Sequence, residues 1–531
     1  MPELPTYTTA SSTLPRATRV GQLFMPAAYI HDSEEEIESL ESLVRNRQVG
    51  GLCFFHSRAS VATNFGKPRG TVSQADSLSR LKDLITRYQE AAEIPLLIAV
   101  DAEWGLGMRV EDAPSYPYAL SLGALPGPFP ELLYQLGLRM AQDCREAGVH
   151  WNLAPVVDIN TNPANPVIGY RAFGCDARAV ITRALPLLEG FRDGGVLSCL
   201  KHFPGHGDTA VDSHLDLPVL EKGIASLWQE ELLPFREAIR AGAPAVMTGH
   251  LSLPHLDPSG LPASLSAPII GLLRNDLGFD GVIITDAMNM KALGRVEQNP
   301  VNLNLMAFEA GNDLLCFASQ VPESIERILE RADPEQIEAS FKRIWALKER
   351  LFLEARPPET PSWTPRSLNL EFGLNCLCEI GLNPGVLKRF RTEGFSLLYV
   401  GERPTPFIEG LKRAMDFEQQ PWGAGNEPEG DPALPAGSNI LLTIQPPSMK
   451  PSGNFGLSPN LGAAIDALAQ KKNVFLYLFG NPYLLRDLPL DRLRGAICTH
   501  QPLKEFMEIA ASHFLGQTSV QGRLPISLEP R

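Results

Sequence analysis

Residues 201–218, KHFPGHGDTAVDSHLDLP, bring three histidines, three aspartates and a lysine into one short run. Side chains of this kind serve metal ligation or proton transfer. His202 and His206 stand four apart, a ligand spacing that a helix would present on one face. Pro204, Gly205 and Gly207 break any helix there, and the chain contains neither HExxH nor a paired CxxC. No metal and no cofactor is therefore expected. Asp212-Ser213-His214 fits proton transfer: a turn can fold the carboxylate back onto one ring nitrogen, fixing the tautomer and aiming the other nitrogen at a substrate. The same three residues also suit a polar surface loop. A second carboxylate, Asp286, ends the apolar run GVIITD (281–286). It is placed either as a nucleophile at the mouth of a sheet or as the N-cap of a following helix.

The elements that would position these groups are legible as alternating runs. Strand-like segments fall at 20–25, 50–55, 95–101, 149–155, 196–202, 244–250, 281–286 and 312–317, separated by amphipathic helical patterns such as SEEEIESLESLVRN and SLSRLKDLITRYQEAAE. Continuous apolar strands alternating with helices indicate a parallel sheet buried on both faces. About eight such units close a TIM-type (β/α)8 barrel, whose site lies at the C-terminal strand ends. Asp101, Lys201, His202, His250 and Asp286 all end strand-like runs. The proline-rich stretch RPPETPSWTPR (356–366) reads as a linker. Beyond it, runs at 395–400, 439–444, 473–480 and 495–500 alternate with helical patterns. The expected α/β architecture is thus a barrel domain over 1–355, a linker, and a smaller α/β sandwich domain over 367–531.

Composition narrows the partners. A net charge of −14 argues against sequence-independent binding to nucleic acid or an anionic membrane. No run reaches the roughly 18 apolar residues of a membrane span. The eight cysteines are scattered and read as reduced, buried small hydrophobes. The start of the chain shows neither the basic end nor the apolar core of a signal peptide, so a cytoplasmic protein is expected.

KHFPGHGDTAVDSHLDLP, GVIITDAMNM, IAVDAEWGLGMR and GYRAFG together resemble glycoside hydrolase family 3. The KHFPGxG…DSH pattern resembles its β-N-acetylglucosaminidase (β-N-acetylhexosaminidase) branch. The likeness continues past the linker, where VFLYLFGNPYLL and FLGQTSVQGRLPISL look like the family's second domain. It implies a retaining glycosidase acting on terminal β-linked N-acetylglucosamine of peptidoglycan fragments or chito-oligosaccharides. Asp286 matches the nucleophile, His214 the general acid/base and Asp212 its orienting partner. Lys201, His202 and Asp101 match residues gripping the terminal sugar, Arg171 a further sugar-pocket residue, and His250 a candidate for the pocket floor. An imidazole donor departs from the usual two-carboxylate design. Two departures from the family pattern, Asp101-Ala102-Glu103-Trp104 and a long segment at 58–73, bear on leaving-group preference. Three other readings stand beside this one. A cationic site favours an anionic acceptor, which would make the enzyme a phosphorylase. The β-glucosidase branch would use Asp286 without the DSH loop. A non-catalytic sugar-binding barrel would need neither.

Overall fold

The computed structural model describes residues 3–56, 76–210, 217–354, 357–423, 435 and 437–528. Two compact units emerge. The first comprises Met1–Ser115, Pro130–Ile159 and Asp176–Ser362; the second comprises Tyr116–Phe129, Asn160–Cys175 and Trp363–Arg531.

The first unit is an α/β assembly with a TIM-barrel-like order. Its strands are β1 (Phe24–Met25), β2 (Ala27–Tyr29), β3 (Gly51–Phe55), β4 (Leu97–Val100), β5 (Trp151–Asn152), β6 (Leu200–Phe203), β7 (Ala245–Thr248), β8 (Val282–Thr285) and β9 (Leu315–Cys316). All their pairings are parallel: β2-β3-β4-β5, β6-β7-β8 and β1-β9. Every residue of β3, β4, β6, β7 and β8 is buried. Such strands must be covered on both faces, and this is why they read as unbroken apolar runs rather than alternating ones.

Between the strands run helices whose ends the sequence marks. Ser33 caps Glu34–Arg47 with a capping box to Glu36, satisfying two orphan amide donors. Asp176 caps Ala177–Asp193, and Asp333 caps Pro334–Phe352. Two details differ from the sequence pattern. The run expected at 20–25 begins as helix, since Val20 and Gly21 close Arg16–Gly21 and the strand starts only at Phe24. The amphipathic run SLWQEELLPFREAIRAG, continuous in pattern, forms two helices, Ile224–Gln229 and Leu232–Arg240. Lys222 draws Glu230 and the buried Glu231 together at that break. A local charge cluster there overrides helical propensity.

The second unit holds a six-stranded sheet built from β10 (Cys378–Ile380), β11 (Ser396–Gly401), β12 (Glu418–Pro421), β13 (Asn439–Gln445), β14 (Asn473–Leu478) and β15 (Ala496–Cys498), in the order β10-β15-β14-β13-β11-β12. β10 runs antiparallel to β15 and the other pairs are parallel. The four apolar runs after the linker are its four inner strands. The two edge strands, short or polar, carry little periodic signal.

Candidate active site

The site is built at the C-terminal ends of the parallel strands of the first unit. Asp101 follows β4, and its two carboxylate oxygens are held by two cations. Lys201 Nζ lies 2.7 Å from Oδ1, and Arg109 Nη2 lies 2.9 Å from Oδ2. Lys201, on β6, keeps only 2% of its side-chain surface and also pairs with Glu103 at 2.8 Å. Arg109 packs its guanidinium over the Phe55 ring, 3.8 Å from the centroid. Burial alone would raise the Asp101 pKa, but Lys201 and then Arg109 outweigh it and hold the carboxyl below its ordinary value. The arrangement is a fixed anion flanked by ammonium and guanidinium donors. That array suits hydroxyl groups, which can accept from the cations and donate to the carboxylate.

His202 is organised by a residue that the sequence reading passed over. Asp158 is fully buried. It accepts from His202 Nδ1 at 2.8 Å, from the His202 backbone amide at 3.2 Å and from the His206 amide at 2.8 Å. A carboxylate against Nδ1 places the ring proton there and leaves Nε2 as the acceptor of the neutral imidazole. Burial works against the charged form of Asp158, but His202 and the amide donors more than compensate, so its pKa falls below the usual range. Within the same turn, Thr209 Oγ1 bonds His206 Nδ1 at 2.7 Å. Gly205 has φ +130°, and a Cβ there would come within 2.8 Å of Glu231. The glycine is required because the chain passes directly against that buried acid.

Asp286 follows β8. Its amide donates to Thr248 O at 2.9 Å, and its Oδ1 accepts from the Ala287 amide at 2.7 Å. His250 reaches the same turn: Nε2 contacts Ala287 O at 3.0 Å and Nδ1 contacts Ser264 Oγ at 2.7 Å. A carbonyl only accepts, so Nε2 carries the proton and Nδ1 accepts from the serine. His250 thereby braces the backbone beside Asp286. Burial raises the pKa of the Cys199 thiol, and a hydrogen bond with Cys53 followed by burial raises that of Cys316; Asp101 and Asp286 add smaller contributions to both.

Asp212 and His214 lie outside the described residues. The chain on either side of them is anchored. His206 is tied to Asp158 on one side; on the other, Pro218 O accepts from the Ser252 amide at 2.8 Å and the Leu220 amide donates back to Ser252 O at 2.9 Å. Arg171 falls in the second unit, on a 3-10 turn over Gly169–Arg171. Its Nη1 donates to Val167 O at 3.3 Å. Asn160 and Asn165 shape that turn by accepting from the amides of Gly169, Val167 and Ile168.

Asp101, Lys201 and their partners are therefore brought together, with His202 beside them in sequence on β6. Asp158, Glu103 and Arg109 are partners that the sequence reading did not assign. Asp158 carried a usable signal: it ends APVVD (154–158), an apolar run continuing past the expected strand. Arg109 and Glu103 sit inside the quoted motif IAVDAEWGLGMR, but only folding shows which carboxylates they meet.

Residues 17–347 match the profile described as "Glycosyl hydrolase family 3 N terminal domain". The chain belongs to glycosyl hydrolase family 3. Its relatives in the family include β-hexosaminidase A of Pseudoalteromonas piscicida, 32% identical over 59% of this chain and 55% of that protein. Another is a β-hexosaminidase of Nitrosospira multiformis, 35% identical over 48% of this chain and 73% of that protein. The chain thus spans about half the length of the first of these enzymes. Among solved structures, a family 3 β-N-acetylglucosaminidase from a Paenibacillus species is 27% identical with a TM-score of 0.78, covering 97% of this chain and 99% of that one.

Proposed function

We propose that this protein is a retaining β-N-acetylglucosaminidase that hydrolyses terminal, non-reducing β-linked N-acetylglucosamine from peptidoglycan fragments or chito-oligosaccharides. The observation that carries the proposal is the likeness to the Paenibacillus β-N-acetylglucosaminidase along nearly the whole of both chains.

In the proposed mechanism Asp286 attacks the anomeric carbon as the glycosidic C–O bond breaks, and His214, oriented by Asp212, gives its proton to the leaving oxygen. His214 then takes a proton from water, which attacks the glycosyl ester and releases Asp286. Lys201 and Asp101 hold the sugar hydroxyls, His202 presents its acceptor nitrogen to the sugar, and His250 fixes the turn from which Asp286 projects. The paired clamp on Asp101 and the brace at Ala287 support these assignments.

The eight strand positions, counting β1 and β2 as one, form a closed ring in this reading. Single bridges Trp151–Leu197 and Ile284–Leu314, together with the β1–β9 pair, support closure. The stretch 356–366 is the boundary of the barrel domain, and the change of unit between Ser362 and Trp363 supports it.

Initial rates on aryl β-N-acetylglucosaminide and aryl β-glucoside, with and without phosphate, test the proposal. The acetamido sugar is expected to be hydrolysed in preference, independently of phosphate, and Asp286→Ala to lose on the order of 10³-fold or more in kcat. A phosphate-dependent rate would reassign the enzyme as a phosphorylase. Preference for the plain glucoside would reassign it to the β-glucosidase branch.

A further inference from the structure

Away from the carboxylates and histidines described above, three side chains converge at the ends of neighbouring strands. His31 follows β2, His56 follows β3, and Glu111 lies in the segment after β4. One ligand-type atom from each lies within 4.8 Å of the other two. His56 Nε2 stands 2.8 Å from Glu111 Oε1, and the His31 and His56 rings meet edge to face with centroids 4.9 Å apart. The second oxygen of Glu111 is held by the buried Ser77 hydroxyl at 3.0 Å.

An ordinary ion pair accounts for His56 and Glu111. It does not account for His31, whose Nε2 is buried from solvent with no hydrogen-bonding partner among the described residues. A polar nitrogen in that condition is expected to have a partner that is not another side chain. We infer that His31, His56 and Glu111 form a binding site for a zinc-class divalent transition-metal ion. Two imidazoles and one carboxylate are a borderline-soft ligand set suited to zinc and its first-row neighbours rather than to magnesium or calcium. Two ligand atoms on one tetrahedral zinc stand about 3.3 Å apart at bond lengths of about 2.0–2.1 Å. The His56–Glu111 gap therefore opens slightly and His31 moves inward when the ion enters. Ser77 supplies the outer hydrogen bond that orients the ligating carboxylate.

The site adjoins the sugar clamp without sharing a residue with it. Phe55 precedes His56 and carries the Arg109 guanidinium, which in turn bonds Asp101. Three protein ligands leave a fourth position for water or an anionic group of a ligand. The expectation that the chain holds no metal rested on local spacings; these ligands come from separate strand ends, and no short motif contains them.

The test is zinc binding by the full-length chain, prepared metal-free and titrated with zinc against a chromophoric chelator. Variants are His31→Ala, Glu111→Gln and, as a control, His255→Ala at an exposed histidine that pairs only with Glu221 among the described residues. One zinc per chain is expected in the wild type and in His255→Ala, with affinity at least ten-fold weaker in His31→Ala and Glu111→Gln. Metal-free melting curves of the variants establish that they fold. Anomalous diffraction at the zinc edge from zinc-soaked wild-type crystals is expected to place a peak at bonding distance from His31, His56 and Glu111, whatever the behaviour of the variants. Absence of stoichiometric zinc, equal affinity in folded His31→Ala, or a peak elsewhere would overturn the proposal.

Discussion

Lys201 shows how one residue serves two charges. Its ammonium sits between Asp101 and Glu103 with almost no exposure, so it is stable only as part of that cluster. Removing it leaves two carboxylates beside each other with Arg109 as the remaining cation on Asp101. Burial then dominates, and the Asp101 pKa rises from its depressed value. If the anionic form binds the sugar, the wild type keeps it down to acidic pH, and loss of Lys201 moves the acid limb of kcat/KM to higher pH. For Lys201→Met we expect that shift together with a fall in kcat/KM of about 10–100-fold, the range for losing a charged hydrogen bond to substrate. A pH–rate profile of the variant, run beside wild type, checks both parts. A uniform loss without movement of the limb would mean that Asp101 does not set it.

At the scale of elements, the helices outside the strands set how closely the strand ends can be held. Helices Pro130–Glu146 and Ala177–Asp193 approach so tightly that a Cβ on Gly190 would lie 2.3 Å from Tyr134 O and 2.8 Å from Gly137 Cα. Both obstacles are backbone, so neither can swing aside. Gly190→Ala is expected to destabilise the protein by about 1–3 kcal/mol, the usual cost of overpacking, or more if the helices cannot part. Denaturant unfolding measures this. Unchanged stability would show that the helices slide freely. Helix existence was legible from periodicity, but this glycine contact was not, because nothing in a helical pattern says which face meets which neighbour.

At the scale of the first unit as a whole, Lys348 ties distant parts of the chain together. From helix Pro334–Phe352 it donates to Gln22 Oε1 and Pro95 O, each at 2.6 Å, and it is completely buried. Burial lowers its pKa to about 7, against an ordinary lysine value of about 10.4. Below about pH 7 both folded and unfolded chains carry the proton, and the full cost of the buried charge is present. Between about pH 7 and 10.4 the unfolded chain binds more protons than the folded one, so this group makes stability rise with pH. Lys348→Met, which keeps the aliphatic length, is expected to remove that rise. Denaturant midpoints at pH 7 and pH 9 for the two proteins isolate the term: an unchanged difference between the pH values would place the charge of Lys348 in contact with water.

Local sequence carries what depends on neighbours along the chain. Parallel strands buried on both faces must be uniformly apolar, so GGLCFF and GVIITD declare themselves, and polar residues at their ends mark the edge where a site can be built. The motifs around Asp101, Lys201 and Asp286 are contiguous, so the family was readable from them. Contacts between residues far apart in sequence were not. Asp158 meets His202 because a single parallel bridge, Val156–Lys201, aligns the chain after β5 with β6, and His250 braces Ala287 because β7 neighbours β8. His31, His56 and Glu111 share a corner because β2, β3 and β4 are adjacent. Strand pairing is a long-range choice made by burial and register, and it alone brings such groups within hydrogen-bonding reach.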